Sequence, residues 1–281
     1  MFDENRLRSL FMKLIFSESR SDYSRYLYPY VVWALPEAGE LPADLFNAGF
    51  LPSARGLNQF CLCRNVRVDL ARFSLNSENR RILRKGAGIE MKLVPRAEFE
   101  MTPARREFCQ TYADARYGKG VMPPERLELV FNSPLATHLL VFSDAQSGAE
   151  LGVVVLYLEE SRLAFYRYSF YDLNHFNRSL GMFMMTSAVE LFAARGVGFL
   201  YLGTCYSERA LYKVQFNGVE FFNGFRWSDN LAELKFLLQL DKDDSSSHLL
   251  EAEAYRQEFY DGDLSKIAAA GLFSLPIQRL S

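Results

Sequence analysis

Cysteine, histidine and tryptophan are scarce in this 281-residue chain, with four, three and two copies. Cys61, Cys63, Cys109 and Cys205 follow no regular spacing, so no disulfide framework is expected and reduced thiols are. Long apolar runs are missing too. A run such as Leu151 to Leu158 falls far short of the ~20 residues that cross a bilayer, and no membrane association is expected. The opening Met1-Phe2-Asp3-Glu4 carries early acids where a secretion signal carries apolar residues, which points to the cytoplasm. No repeat recurs at a fixed period. The formal net charge is only −2, which argues against a general nucleic-acid binder. His138, His175 and His248 join no serine and aspartate at the elbow spacing of a covalent-nucleophile enzyme.

What is present supports a substantial core, with 49% hydrophobic and 23% charged residues, and the length leaves room for two modest domains. Charge is unevenly spread. Seven basic residues against two acids between Arg64 and Lys85 give that stretch +5, so the remainder carries −7. Such polarity steers an anionic partner. Within it, Ser77 to Lys85 reads as a helix capped by Ser77 and stopped by Gly86 and Gly88. Arg80 and Arg84 share one face, and Arg81 and Lys85 the next. This is either a solvated face or a docking site for phosphates or carboxylates.

Residues 4–16 carry Leu7, Leu10, Phe11, Leu14 and Ile15 at helical spacing. Tyr23, Tyr26, Tyr28 and Tyr30 lead into a strand at Val31-Val32-Trp33, and serve either to stack on bases or to pack at an edge. Leu41 to Ala48 is a short helix stopped at Gly49, and Leu57 to Val68 one or two strands. Met101 to Tyr117 is a helix with Pro103 in its first turn, and Pro123-Pro124 begins a link. Leu231 to Leu240 is an apolar helix or strand, Asp241 to Ser247 a polar break, Leu249 to Tyr260 a helix, and the remainder a tail packing back.

Thr137 to Asp144, Glu150 to Leu158 and Arg162 to Tyr171 read as an antiparallel meander with short polar connections. Asn177-Arg178-Ser179-Leu180-Gly181 follows. Met182, Met185, Val189 and Phe192 then recur on one helical face, closed by Gly196. Val197 to Gly203 is a buried strand. A short helix capped by Ser207 ends at Asn217-Gly218, and Val219 to Trp227 is another strand. This order resembles the N-acyltransferase core of the GNAT type. The expected fold is therefore α+β, a GNAT-like mixed sheet with flanking helices. A smaller α/β lobe over 1–130 precedes the catalytic domain over 131–240, with 241–281 as break and tail.

Cys63-Arg64-Asn65-Val66-Arg67-Val68, Phe73 and Ser77-Glu78-Asn79-Arg80-Arg81-Ile82-Leu83-Arg84-Lys85 resemble the basic segment of aminoacyl-tRNA–protein transferases. Phe170-Tyr171-Asp172, Arg178-Ser179-Leu180-Gly181, Tyr201-Leu202-Gly203, Tyr212-Lys213 and Phe216 resemble the same family's later motifs in order and spacing, and Gly49-Phe50 an early one. The resemblance covers roughly residues 28–227. It implies transfer of arginine or leucine from charged tRNA to the N-terminal α-amine of proteins in the N-degron pathway, with aminoacyl-tRNA and acidic or basic protein N-termini as partners. No covalent nucleophile and no cofactor beyond the co-substrate are required; the tasks are positioning, carbonyl polarisation and proton removal.

Read through the resemblance, Tyr201, Tyr212 and Lys213 are the catalytic candidates, and Lys213 with Arg178 is expected to contact the tRNA end. Arg80, Arg81 and Arg84 are expected to bind tRNA phosphates or an acidic N-terminal residue. Tyr171, Asp172, Ser179, Gly181 and Gly203 complete the binding set, Asp172 holding the α-ammonium or making a turn. The family's cysteine motifs are implicated in binding metal or an iron–sulfur cluster. Here one reads Leu27-Tyr28-Pro29-Tyr30 and the other is compressed to Cys61-Leu62-Cys63, so no metal is expected. Arg178-x-x-Gly181-x-Phe183 departs from the GNAT pyrophosphate loop at Phe183, which weakens a second reading, an acyl-CoA-dependent N-acyltransferase. A third reading is a silent relative that binds tRNA or protein N-termini.

Overall fold

The computed structural model describes residues 12–18, 30–53, 56–243 and 249–271. They group into two compact units: residues up to Arg64 together with those from Phe221 on, and Asn65–Glu220. The first unit begins with β1 (Lys13–Glu18), β2 (Tyr30–Leu35), α1 (Pro42–Asn47), β3 (Phe50–Pro52) and β4 (Phe60–Leu62). Its antiparallel sheet runs β1-β2-β4-β3. The helix expected over 4–16 gives way to a strand from Lys13, paired residue for residue with β2 from Lys13↔Leu35 to Glu18↔Tyr30. Leu14 and Ile15 are exposed, so their spacing marks no buried helical face, and pairing with a distant strand overrides local periodicity. Residues 4–11 and Tyr23, Tyr26 and Tyr28 lie outside the described residues.

The second unit contains β5 (Asn65–Asp69), α2 (Ser77–Lys85), β6 (Ile89–Pro95), α3 (Pro103–Tyr117), α4 (Pro124–Asn132), β7 (His138–Asp144), β8 (Glu150–Glu159), β9 (Leu163–Tyr171), α5 (Leu180–Ala194) and β10 (Phe199–Thr204). Its strands lie in the order β5-β10-β9-β8-β7-β6. The meander is as expected: β7, β8 and β9 pair antiparallel in sequence. Strand β10 joins β9 in parallel and β5 antiparallel, so the sheet is mixed and the α+β, GNAT-like order holds. Asn76, not Ser77, caps α2, its side chain accepting the Asn79 N–H at 2.8 Å. The link at Pro123-Pro124 opens α4. The segment after Ser207 is a 3-10 helix, Glu208–Val214, and Ser207 makes no side-chain cap.

Alternation along the strands sends the two faces to different helices. Leu139, Val153, Val155 and Phe170 join Cys109, Tyr112, Val130 and Phe131 from α3 and α4 in one cluster. On the other face Phe142 meets Phe183 of α5 edge-on at 6.0 Å, and Met184 fills the space over Gly152. Helix α5 is buried nearly all round, as a helix covered on several sides must be. Helix α2 packs on it through Gly86, where a Cβ would lie 2.1 Å from the Phe183 ring.

Strand β11 (Val219–Phe222) begins in the second unit and ends in the first, which closes with β12 (Trp227–Ser228), α6 (Leu231–Asp243), α7 (Glu253–Tyr260) and α8 (Leu264–Ala270). The single strand expected over Val219 to Trp227 is a hairpin, pairing Phe221↔Ser228 and Phe222↔Trp227, because Asn223 folds its side chain onto the N–H groups of Phe225 and Arg226. Among the described residues no helix is long and apolar enough to cross a membrane.

Candidate functional site

Strands β9 and β10 pair only from Phe199↔Leu163 to Tyr201↔Phe165, yet β9 continues to Tyr171. Beyond Phe165 no described strand covers that edge. A cavity of about 450 Å³ lies here, lined from β9 by Tyr166, Ser169 and Tyr171, and from the turn after it by Asp172, Leu173 and His175. Ser179 to Met182 and Met185 of α5, Tyr112 and Arg116 of α3, Lys85 of α2, and Tyr212 complete the wall. The volume is that of a pocket for a small molecule.

Tyr166 reaches this wall through an irregularity. The β8–β9 register shifts between Val155↔Tyr168 and Leu156↔Tyr166, leaving Arg167 as the extra residue of a bulge. The bulge reverses the alternation, so Tyr166 shares a face with Ser169 and Tyr171. Burial pushes the Tyr166 hydroxyl far above the ordinary tyrosine range, with Ser169 offsetting part of the effect. Tyr112 is likewise raised, by burial first and then by Tyr171, their rings 4.7 Å apart. Burial also lifts Tyr117 to about 12. These phenols stay neutral, and the neighbouring Tyr171 above all favours the charged form of Arg116.

At the α5 end, Ser179 adopts a left-handed conformation (φ 52°) and caps nothing with its side chain. Its Oγ instead accepts from Lys85 Nζ at 3.3 Å. A cation thus stands beside the uncapped N–H groups of a 15-residue helix, an arrangement that attracts anions. Gly181 is needed for close approach: a Cβ there would lie 2.7 Å from the Tyr171 hydroxyl. Asp172 supplies the opposite charge. Its Oδ1 accepts from Asn174 N and Nδ2 at 2.8 and 2.9 Å, and its Oδ2 lies 3.2 Å from His175 Nδ1. With Nδ1–H donated to the carboxylate, His175 Nε2 is left as a proton acceptor.

The structure therefore brings Tyr171, Asp172, Ser179, Gly181 and Tyr212 together. Tyr201, Lys213, Gly203, Arg80, Arg81 and Arg84 are not among the lining residues. Tyr201 is fully buried; its hydroxyl accepts from Arg67 Nη1 at 3.3 Å, and burial lifts its pKa to about 12. Lys213 Nζ donates to the Thr204 carbonyl at 2.8 Å, and Gly203 (φ +81°) sits at the β10 register shift. Arg80 donates to the Leu75 carbonyl at 2.6 Å, Arg81 pairs with Glu78, and Arg84 is exposed. Arg178 ends the 3-10 turn before α5, and its side chain lies outside the described residues. Phe183 is buried against Gly86 and Phe142, so its ring packs into the contact with α2. Of α2, it is Lys85 that lines the cavity. Tyr112 and Arg116 were legible only as one face of α3, four residues apart, and Tyr166 not at all.

The cysteines do not suit a metal or cluster. Cys61 and Cys63 are separated by Leu62 alone, burial pushes the Cys61 thiol up to about 11, and Cys109 belongs to the hydrophobic core. Among the described residues no three His, Cys, Asp or Glu side chains converge, and residues 27–29 lie outside them.

No protein-family model matches the sequence. The aspartate/glutamate leucyltransferase of Granulibacter bethesdensis (strain ATCC BAA-1260 / CGDNIH1) is 30% identical over 206 residues, covering 68% of this chain and 74% of that protein. The chain belongs to this family. The aspartate/glutamate leucyltransferase of Ruegeria pomeroyi (strain ATCC 700808 / DSM 15171 / DSS-3) is 26% identical over 172 residues, 59% of this chain and 61% of its own length. Membership makes the protein an aminoacyltransferase. The crystal structure of FemX aligns over 80% of this chain and 90% of that one, at 9% identity and a TM-score of 0.41.

Proposed function

We propose that this leucyltransferase-family protein moves leucine from leucyl-tRNA to the N-terminal α-amine of proteins that begin with aspartate or glutamate, as a step of the N-degron pathway. The supporting observation is the charge order of the cavity wall, a cation at an uncapped helix terminus on one side and a carboxylate–imidazole pair on the other. Lys85 and the first N–H groups of α5 hold a phosphate of the tRNA acceptor end. Tyr212, 41% exposed, offers a ring on which a terminal base stacks. Leu180, Met182 and Met185 receive the leucyl side chain. Asp172 holds the acceptor's ammonium, and His175 takes its proton. Arg116 forks onto the side-chain carboxylate of the acceptor's first residue, for which a guanidinium is suited. The names of the relatives favour leucine over arginine and acidic over basic acceptors.

A transfer assay tests this, with tRNA charged separately with labelled leucine or arginine and reporters beginning with Asp, Glu, Arg, Lys or Met. Label from leucyl-tRNA on the Asp and Glu reporters alone is the expected result. Label from arginyl-tRNA, or on basic reporters, would reassign donor or acceptor. No label from folded protein, with coenzyme A binding, would move the protein to acyl-CoA chemistry.

A further inference from the structure

Buried polar atoms nearly always find a partner, and one that lacks it calls for a reason. Tyr166 is 6% exposed, and its hydroxyl is shielded from solvent and makes no hydrogen bond of good geometry, the Ser169 hydroxyl being a weak polar neighbour. Seven buried side-chain atoms lack a partner among the described residues, and of the residues that carry them only Tyr166 lines the cavity. The bulge at Arg167 turns Tyr166 toward Ser169 and Tyr171, and the hydroxyl interacts electrostatically with that of Ser169 first and then with those of Tyr212 and Tyr171, all in the wall.

We infer that Tyr166 is a catalytic residue whose hydroxyl donates a hydrogen bond to the carbonyl oxygen of the aminoacyl ester as that oxygen becomes negative. The assignment rests on the aminoacyl-transfer reading. The acceptor amine nitrogen forms a bond to the ester carbonyl carbon, and the π electrons move onto the oxygen held by Tyr166. When the carbonyl re-forms, the bond to the ribose oxygen of the tRNA breaks. The proton lost by the nitrogen goes to that oxygen, directly or through His175, giving an amide and free tRNA. Because burial holds the phenol protonated, Tyr166 remains a donor throughout and does not act as the base. A donor fixed in a dry wall is stronger than one in water and needs no reorganisation during the reaction.

The test is Tyr166→Phe, which removes one oxygen and keeps the ring. Loss of one such donor lowers kcat about a hundredfold or more, and the KM for charged tRNA should stay within about twofold. The same change should leave the melting temperature equal or higher, because a buried hydroxyl without a partner contributes no bond to the fold. Transfer by Tyr166→Phe within about threefold of the parent would overturn the assignment. So would a clear drop in melting temperature, which would reveal a structural partner and which is read without any activity. A parent protein that transfers nothing would count against the leucyl-transfer reading, and the melting comparison would still judge Tyr166.

Discussion

Arg116 and the α2 arginines show how one residue type takes opposite roles. Arg81 is paired with Glu78 and Arg80 with a carbonyl, whereas Arg116 lines the cavity among tyrosines. The density of α2's charge run was visible in the sequence; its direction was not, since a helix face gains meaning only from what it packs against. Lys85 is the member that points to α5, one residue beyond the last expected arginine. At this scale the acceptor rule is testable. Arg116→Ala should lower kcat/KM for Asp- and Glu-initiated reporters roughly 10- to 100-fold, the weight of a charge-assisted hydrogen bond. It should leave the KM for leucyl-tRNA unchanged. Equal losses for both substrates, measured in the same transfer assay, would remove Arg116 from acceptor recognition.

Helices and strands with complete local signals were legible in advance. Helix α3 begins at Thr102, which caps the Arg105 N–H at 3.3 Å, and Pro103. Helix α5 ends with Gly196 at φ +68°, and the meander kept its short turns. Besides α4, the elements that escaped are those defined by distant partners: β1, paired with β2, and β6, paired with β7 over Ile89↔Asp144 to Pro95↔His138. The bulge in β9 belongs with them, because a one-residue register shift leaves no mark on hydrophobic alternation. Packing of α2 on α5 gives a stability prediction for this level. Gly86→Ala sets a methyl against the buried Phe183 ring and should cost about 1–3 kcal/mol, lowering the melting temperature by a few degrees. An unchanged melting curve would mean that Phe183 is not seated there.

For the molecule as a whole, tyrosine burial sets the alkaline limit. Tyr201 is raised to about 12, and Tyr112, Tyr157, Tyr166 and Tyr255 are raised further, burial being the first cause in each. An unfolded tyrosine ionises near 10, so the unfolded chain releases these protons first. The contribution to stability is therefore intact below about pH 10 and is lost as pH rises through 12. Denaturant midpoints should be level up to pH 10 and then fall, with buried tyrosinate absorbance appearing only on unfolding. Absorbance from the full complement of tyrosines appearing before the midpoint moves would contradict the burial.

The other unit buries Glu233, which accepts from Asn223, Ser228, Tyr255 and Tyr260, a charge satisfied by residues scattered over 38 positions, Asn223 to Tyr260. By itself the sequence determined the family motifs, the meander, the capped helices and the Asp172–Gly181 segment, because spacing, caps and turns act over a few residues. Only the tertiary structure decided which side chains share the cavity. That placed Tyr201 and Lys213 in other contacts, left Tyr212 in the wall, and brought in Tyr166, Arg116 and Lys85. Those positions follow from a bulge, from the divergence of β9 and β10, and from helices meeting at the sheet's end, which are relations between segments far apart in the chain.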